Sequence, residues 1–302
     1  MRILFIINGS KKLSKIANEA IQLIKNRDGN RCEIIQTQFR KEATEIARKE
    51  SLTANVIIAV GGDGTCNEIV EGIAQSGNKD VLFGVIPNGT GNDFLRMTIG
   101  FDSNRFVDRV SKAEYLHIDL GYVKTKEGDR HFLNIADIGL GGKVVEIMNR
   151  QRKVNIGGKF SYASAILRGF LSYKKSEMTI VGDDFTHTGK VLMLAACNGA
   201  VFGHGLVVGP EAKLDDGIIN ITLLGNITVA DYLKNLKKIK RGDKIKHPEV
   251  FYFKSKHIKI SQTEGQMYSE TDGELVYEDI LEIGLRHKDL KMVNKLKPNL
   301  MY

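Results

Sequence analysis

The stretch Val56-Ile57-Ile58-Ala59-Val60-Gly61-Gly62-Asp63-Gly64-Thr65-Cys66-Asn67-Glu68 decides how the rest of the chain is read. Val56 to Val60 are apolar and mostly β-branched, the pattern of a short strand buried on both faces. Glycines at 61, 62 and 64 end that run. Lacking Cβ atoms, they accept positive φ and let backbone N–H groups come close to a ligand. Beyond Thr65 the pattern turns helical, with Ile69, Val70 and Ile73 spaced for one buried face. Strand, glycine turn and helix N-terminus together aim several N–H donors and a positive dipole end at one place, which suits phosphate. Asp63 adds a carboxylate to that turn, and a carboxylate beside polyphosphate makes chemical sense when Mg²⁺ lies between them. The stretch therefore predicts a nucleotide-polyphosphate site with metal. The plainer alternative is a tight turn whose glycines serve packing alone.

A second turn of the same kind follows. Val81-Leu82-Phe83-Gly84-Val85-Ile86 reads as another buried strand and runs into Pro87-Asn88-Gly89-Thr90-Gly91-Asn92-Asp93-Phe94-Leu95-Arg96. In a parallel sheet, successive strand-to-helix turns share the carboxyl edge, where open α/β sheets bind ligands. Two glycine-rich turns, each with an aspartate, favour the phosphate reading over packing. Asp63 and Asp93 are expected there to serve metal and not the core.

Gly61-Gly62-Asp63-Gly64-Thr65 with Asn67-Glu68, followed by the segment from Pro87 to Phe94, resembles the diacylglycerol kinase catalytic domain. That family includes bacterial soluble lipid kinases, sphingosine kinases and ceramide kinases. The Gly-Gly-Asp-Gly-Thr core alone is shared with NAD kinases and, loosely, with phosphofructokinases; the Gly-Thr-x-Asn-Asp segment is closer to the lipid-kinase branch. The resemblance implies ATP as phosphoryl donor, bound through Asn8, Gly9, Ser10, Thr37, Gly62, Asp63, Gly64, Thr65, Asn67, Glu68, Thr90 and Asn92. It also implies that Asp63 and Asp93 help to position Mg²⁺. Where the family shows Asn-Pro-x-Ser-Gly after the first strand, this chain has Asn8-Gly9-Ser10-Lys11-Lys12. Asn8 is kept, Gly9 replaces the proline, and lysines stand in the place of the glycine. Lys11 and Lys12 either neutralise phosphate or are solvated lysines at a helix start. Thr37 matches a family threonine near the nucleotide, and by spacing alone it is equally a turn hydroxyl.

Composition narrows the remaining choices. A chain of 302 residues that is 42% hydrophobic can bury one or two cores. Cys32, Cys66 and Cys197 are odd in number and far apart, which predicts reduced thiols and neither a disulfide framework nor a zinc site. Met1 leads at once into the strand pattern Ile3-Leu4-Phe5-Ile6-Ile7, so no signal peptide is expected. No apolar run approaches the roughly eighteen residues that span a bilayer. The expected location is the cytoplasm, peripheral to the inner face of the membrane. A net charge of +8 admits nucleic acid or an anionic membrane as partner. No aromatic-interleaved basic motif or zinc finger is present, which disfavours nucleic acid.

Residues 1–120 alternate strand and helix patterns, which predicts an α/β domain with a mainly parallel sheet and right-handed crossovers. Its first helix is expected near 13–27, with Leu13, Ile16, Ala17, Ala20, Ile21 and Ile24 on one stripe. Residues 121–288 change texture. Strands at 118–124 and 131–137 precede helices near 142–150 and 159–173. Strand patterns then dominate at 176–181, 187–197, 218–224, 250–262, 267–271 and 280–286. Several alternate apolar and polar residues, as strands with one buried face do, which predicts a β-rich sandwich domain. The polar stretch 289–302 is expected to return to the first domain. None of the other glycine clusters is a Walker A motif, and Gly139-Leu140-Gly141-Gly142 does not complete a dinucleotide fingerprint.

Two places in the second domain carry chemistry. Lys213-Leu214-Asp215-Asp216-Gly217-Ile218 offers hard oxygen ligands suited to Mg²⁺ or Ca²⁺, or is an ordinary Asp-Asp-Gly turn. The resemblance implies a structural Mg²⁺ held by Asp216 and the carbonyls of Lys213 and Ile218, with Asp119 in its network. Downstream of Asn198, the glycine-rich loop also follows the family pattern, except that His204 replaces a glycine. Thr271-Asp272-Gly273-Glu274 reads as a hairpin with a surface carboxylate. The resemblance makes Glu274 the general base that acts on the acceptor hydroxyl. A basic helix near 229–241, with Lys234, Lys237, Lys238, Lys240 and Arg241, is either a contact for anionic lipid or a solvated face.

The whole implies an ATP-dependent, Mg²⁺-requiring lipid kinase with Glu274, Asp63 and Asp93 as catalytic residues. Its substrate would be the primary hydroxyl of a lipid such as diacylglycerol, met at the membrane surface, and a homodimer is left open. The alternatives are an NAD kinase-like enzyme and a non-catalytic nucleotide- or lipid-binding regulator.

Overall fold

The computed structural model describes residues 1–89, 91–153, 161–263, 267–278 and 280–297. Two compact units emerge, one formed by Met1–Leu120 with the stretch that begins at His287, the other by Gly121–Arg286.

The first unit contains β1 (Arg2–Asn8), α1 (Lys15–Lys25), β2 (Arg31–Thr37), α2 (Glu42–Glu50), β3 (Val56–Gly61), α3 (Asp63–Ser76), β4 (Leu82–Pro87) and α4 (Ser103–Ser111). The strands pair in the order β2-β1-β3-β4, all parallel. Ile3 to Ile7 and Val56 to Val60 are buried without a break, because helices cover both faces. Ile3, Phe5, Ile7, Val56, Ile58 and Val60 share one core with Ala17, Ala20, Ile21 and Ile24 of α1 and Phe106, Val107 and Val110 of α4. Leu13 and Ile16 do not join the stripe expected of them: they are 37% and 51% exposed. The N-cap is Ser14, whose hydroxyl accepts the N–H of Ala17, so Leu13 precedes the helix, while Ile16 lies in its first turn outside the face made by Ala17, Ala20, Ile21 and Ile24. The stretch from His287 is fastened to this unit by Asn294, which accepts the N–H of Val85 at 2.8 Å and donates to its carbonyl at 3.0 Å.

The second unit contains β6 (Gly128–Phe132), β7 (Ile135–Gly139), α5 (Leu140–Lys153), α6 (Ser161–Ser172), β8 (Ser176–Val181), β9 (Thr186–Val191) and β10 (Met193–Cys197). It continues with β11 (Val201–Phe202), β12 (Leu206–Val207), β13 (Ile219–Leu224), α7 (Val229–Arg241), β14 (Val250–Ser255), β15 (His257–Gln262), β16 (Ser269–Thr271) and β17 (Glu274–Val276). β5 (Leu116–Thr125) enters it from Gly121, and β18 (Ile280–Met292) leaves it after Arg286. One sheet has the order β14-β13-β10-β7-β16-β17, antiparallel throughout. Facing it are β18, β15, β8 and β9, with β5 beside β18 and β6 beside β5. Ala136, Ile138, Leu194, Ala196, Ile219 and Ile221 of one sheet meet Met178, Ile180, Ile258, Ile260, Leu281 and Ile283 of the other. This unit is a β-sandwich.

Three of the expected strands are each two. The run 131–137 breaks at Leu133 and Asn134, and the runs 187–197 and 250–262 break at Leu192 and Lys256. In all three the chain passes from one sheet to the other, β6 to β7, β9 to β10 and β14 to β15. Such corners leave the β pattern of the sequence uninterrupted, because none of Leu133, Asn134, Leu192 and Lys256 is a glycine or proline.

Candidate active site

The ends of β1, β2, β3 and β4 line the carboxyl edge of the first unit's sheet. Asn8 and Thr37 are register partners, as are Gly61 and Pro87. The loops leaving these ends hold one another in place. Asn8 Oδ1 accepts the N–H and the hydroxyl of Ser10 at 3.0 and 2.7 Å, and Asn8 Nδ2 donates to Thr65 Oγ1 at 3.4 Å. The Gly9 N–H donates to Thr37 Oγ1 at 3.4 Å. A Cβ on Gly9 would lie 1.9 Å from the Thr37 carbonyl oxygen, so this chain needs glycine there. Lys11 and Lys12 are exposed.

Asn88 ties the two sides of the edge together. Its Oδ1 accepts the Ser14 N–H at 2.7 Å and its Nδ2 donates to the Lys12 carbonyl at 3.3 Å. Sequence reasoning missed Asn88 and Ser14. For Ser14 the signal was available, an N-cap serine immediately before a helical apolar period. For Asn88, whose partners lie 74 and 76 residues away, none existed.

The two glycine turns pack backbone to backbone. A Cβ on Gly62 would sit 2.5 Å from the Gly91 carbonyl oxygen, and one on Gly89 would sit 2.7 Å from Gly62 Cα. The Asp63 N–H donates to Gly91 O at 3.1 Å. Asp63 Oδ2 accepts the Asp93 N–H and Oδ1 the Phe94 N–H, each at 3.0 Å. Asp63 thus caps the 3₁₀ turn Phe94–Met97 from the start of another helix. This corrects the expectation that Asp63 serves metal and not the fold. Asp93 is 6% exposed, with its carboxylate 3.3 Å from Arg96 Nε. Asn92 Nδ2 donates to the Gly89 carbonyl at 3.2 Å. Thr65 and Asn67 are buried and Glu68 is partly buried; Thr90 lies outside the described residues.

Packing accounts for Gly62 and Gly89, but not for Gly64. Gly64 is exposed, and a Cβ there would meet nothing within 4 Å. It occupies the first turn of the 14-residue helix α3, where backbone N–H groups have no intrahelical partner. What its bare surface offers is close approach to those donors.

In the second unit Asp272 and Gly273 form the turn between β16 and β17, with φ of 46° and 88°. Asp272 Oδ2 accepts the Leu133 N–H at 2.7 Å, and Oδ1 accepts those of Asn134 and Ile135 at 3.0 Å each. The aspartate of this tetrapeptide is therefore an anchor that also breaks the 131–137 run. Glu274 opens β17 at the turn and is partly exposed. Asp216 is exposed, and its Oδ1 accepts the Ile218 N–H at 3.1 Å, closing a local turn beside exposed Lys213. Asp119, in the first unit, is fully buried and accepts from His287 Nδ1 at 2.8 Å and the Lys288 N–H at 2.7 Å. Among the described residues no group of three or more His, Cys, Asp and Glu side chains forms a metal cage.

Comparison with known proteins settles the family. Residues 2–123 match the diacylglycerol kinase catalytic domain, and residues 134–287 match the YegS C-terminal NAD kinase beta sandwich-like domain. A diacylglycerol kinase of Staphylococcus haemolyticus is 32% identical over 279 residues, covering 90% of this chain and 81% of that protein. The chain belongs to the diacylglycerol kinase family. The kinase is 30% identical to a diacylglycerol kinase of Staphylococcus carnosus over 90% of its own length and 88% of that protein. Its fold matches the crystal structure of a diacylglycerol kinase from Bacillus anthracis with a TM-score of 0.71 at 19% identity, covering 98% of this chain and 97% of that one. An NAD kinase from Archaeoglobus fulgidus in complex with ATP matches with a TM-score of 0.53 at 12% identity, covering 97% of this chain and 93% of that one. As a member of the family the chain is a lipid kinase, and an enzyme rather than a binding-only regulator.

Proposed function

We propose that this lipid kinase transfers the γ-phosphoryl group of ATP, with Mg²⁺, to the primary hydroxyl of a lipid such as diacylglycerol at an anionic membrane surface. The observation that carries the nucleotide half is Gly64, bare toward open space at the start of α3 and without a packing reason to be glycine. The relatives called diacylglycerol kinases support the acceptor.

In this reading the N–H groups at the start of α3 receive polyphosphate, and the Asn8–Ser10 loop and Thr37 border it. Asn67, Glu68, Thr90 and Asn92 complete the nucleotide contacts. Donor chemistry fits Mg²⁺, which takes hard oxygens: carboxylates of Asp63 and Asp93 at the turns, and Asp216 with the carbonyls of Lys213 and Ile218 as a structural set in the second unit. Bound at the turns, Mg²⁺ would neutralise phosphate charge. Glu274 accepts the hydroxyl proton as that oxygen attacks phosphorus; the new O–P bond forms while the bond to the bridging oxygen breaks, and ADP leaves.

No described helix is long and apolar enough to cross a membrane. Attachment at the cytoplasmic face is supported by α7, which carries Lys234, Lys237, Lys238, Lys240 and Arg241 and buries none of its residues. A second reading, NAD as acceptor, draws on the fold shared with the ATP-bound NAD kinase. Incubating the enzyme with ATP, a total lipid extract and NAD, followed by mass spectrometry, separates the two. Phosphorylated lipid is expected, and phosphorylated NAD without phosphorylated lipid would replace the proposal.

A further inference from the structure

The face of the second unit's antiparallel sheet that carries α5 holds two buried acids without a role in the mechanism above. Asp137 of β7 and Glu270 of β16 are direct register partners, and opposed residues of an antiparallel pair point to the same face. Ala136 and Ile138, on either side of Asp137, belong to the sandwich core, so Asp137 points the other way, toward the first turn of α5. A Cβ on Gly141 would lie 2.3 Å from Asp137 Oδ1, and one on Gly142 would lie 2.7 Å from the Tyr268 carbonyl carbon. These two glycines, which complete no nucleotide motif, let α5 close down on the acid pair. Asp137 is 0% and Glu270 2% exposed. The N–H groups of Gly141 and Gly142 point at Asp137, yet neither of its oxygens closes a hydrogen bond of good geometry. Glu270 Oε2 accepts the Gly273 N–H at 2.5 Å. Gly273 is the second residue of the turn that presents Glu274.

We propose that Glu270 is a positioning residue for Glu274: facing Asp137 in the β7–β16 ladder and holding the Gly273 N–H, it fixes the hairpin that aims the base. The proposal rests on the reading of Glu274 as the base. Burial pushes both carboxyls far above the usual carboxylate range. For Asp137 burial is opposed by the N–H groups of Gly142 and Gly141. For Glu270 the negative charges of Asp137, Asp272 and Glu274 add to burial, and only the Gly273 N–H opposes them. Both carboxyls are thus biased toward the protonated form, and at Glu270 the neighbouring carboxylates reinforce that bias.

Other titratable groups surround the pair. Tyr268 stands just before β16, and Tyr173 is pushed up to about 12, chiefly by burial. Cys197 of β10 is raised by burial and by Asp137. Lys143 of α5 lies 3.3 Å from the Tyr268 hydroxyl and 2.7 Å from Glu146, and Arg130 of β6 donates to Thr271 Oγ1 at 2.9 Å. Neither of these cations has Glu270 as its hydrogen-bond partner. Because the folded-state pKa of Glu270 is raised, its contribution to stability is present at acid pH and is lost as pH rises through the raised value. Ionised Glu270 would then stand against three carboxylates and loosen the turn.

The test uses the full chain, with Glu270→Gln, Glu270→Ala and Glu274→Gln measured beside the parent for kcat, KM and Tm from mildly acid to alkaline pH. Glu270→Ala removes the acceptor for Gly273; kcat is expected to fall roughly 10–10²-fold with the KM for ATP little changed. Glu270→Gln keeps an oxygen for Gly273 but cannot ionise, so the alkaline decline of kcat and Tm expected of the parent should flatten. A folded Glu270→Ala with parental kcat, or Glu270→Gln with the parental pH profiles, overturns the proposal. If Glu270→Ala does not fold, the Gln profiles decide alone. Parental kcat in Glu274→Gln, together with a flattened Tm profile in Glu270→Gln, would sink the base reading and leave the hairpin anchor standing.

Discussion

The Asp63 carboxylate takes the N–H groups of Asp93 and Phe94 at 3.0 Å each, so the residue that the motif assigns to metal also fastens one glycine turn to the other. A metal ligand can be removed without unfolding a protein, but a buried fastening cannot be removed without cost. Asp63→Ala leaves two N–H groups of a largely buried turn without their acceptor. A loss of about 2–4 kcal/mol is expected, since hydrogen bonds to charged groups contribute roughly 1.5–3 kcal/mol each and part is regained from water. Thermal unfolding should show a lower Tm, and turnover should vanish. An unchanged Tm with turnover abolished would return Asp63 to a purely chemical role. Asp272 teaches the same lesson in the second unit: beside the glutamate that attracts notice, the aspartate takes three backbone N–H groups. Neither role was legible in the sequence, because each rests on partners 30 or more residues away.

At the scale of elements, the start of α3 separates what glycine does for packing from what it does for a ligand. Gly62→Ala would drive a Cβ to 2.5 Å from the Gly91 carbonyl oxygen, so stability and nucleotide binding should fall together. Gly64→Ala meets open space, and alanine in a helix is favoured over glycine by up to about 1 kcal/mol. Its Tm should hold or rise while ATP affinity, measured by calorimetry, drops. Unchanged affinity would remove α3's first turn from the binding site. The loop before β13 makes a parallel case. Asp216 closes a local turn on Ile218 at 3.1 Å, and turn chemistry alone accounts for that bond. If the loop also holds Mg²⁺, elemental analysis of Asp216→Ala should show one bound ion fewer and Tm should fall. Equal metal content and equal Tm would leave an ordinary turn. β1, β3 and β4 of the first unit were readable because each is a buried apolar run that ends at asparagine, glycine or proline, whereas β2 is only partly buried. The sandwich corners at Leu192 and Lys256 were not, because neither contains glycine or proline.

For the whole molecule, the chain divides into two units with separate cores, and the motifs divide with it: nucleotide turns in one, the candidate base in the other. The α/β and β-rich textures were visible because buried runs and half-buried alternation differ in period. The acid pair of Asp137 and Glu270 was invisible, because it exists only through the register of strands distant in sequence. The reading of the molecule as a kinase that activates a lipid hydroxyl turns on Glu274. One measurement bears on it most directly: kcat for diacylglycerol phosphorylation by Glu274→Gln, with ATP affinity determined on the same preparation. Loss of general-base assistance should lower kcat by roughly 10²–10⁴-fold while ATP affinity stays at the parental value. A variant within two- or three-fold of the parent in both would contradict the account.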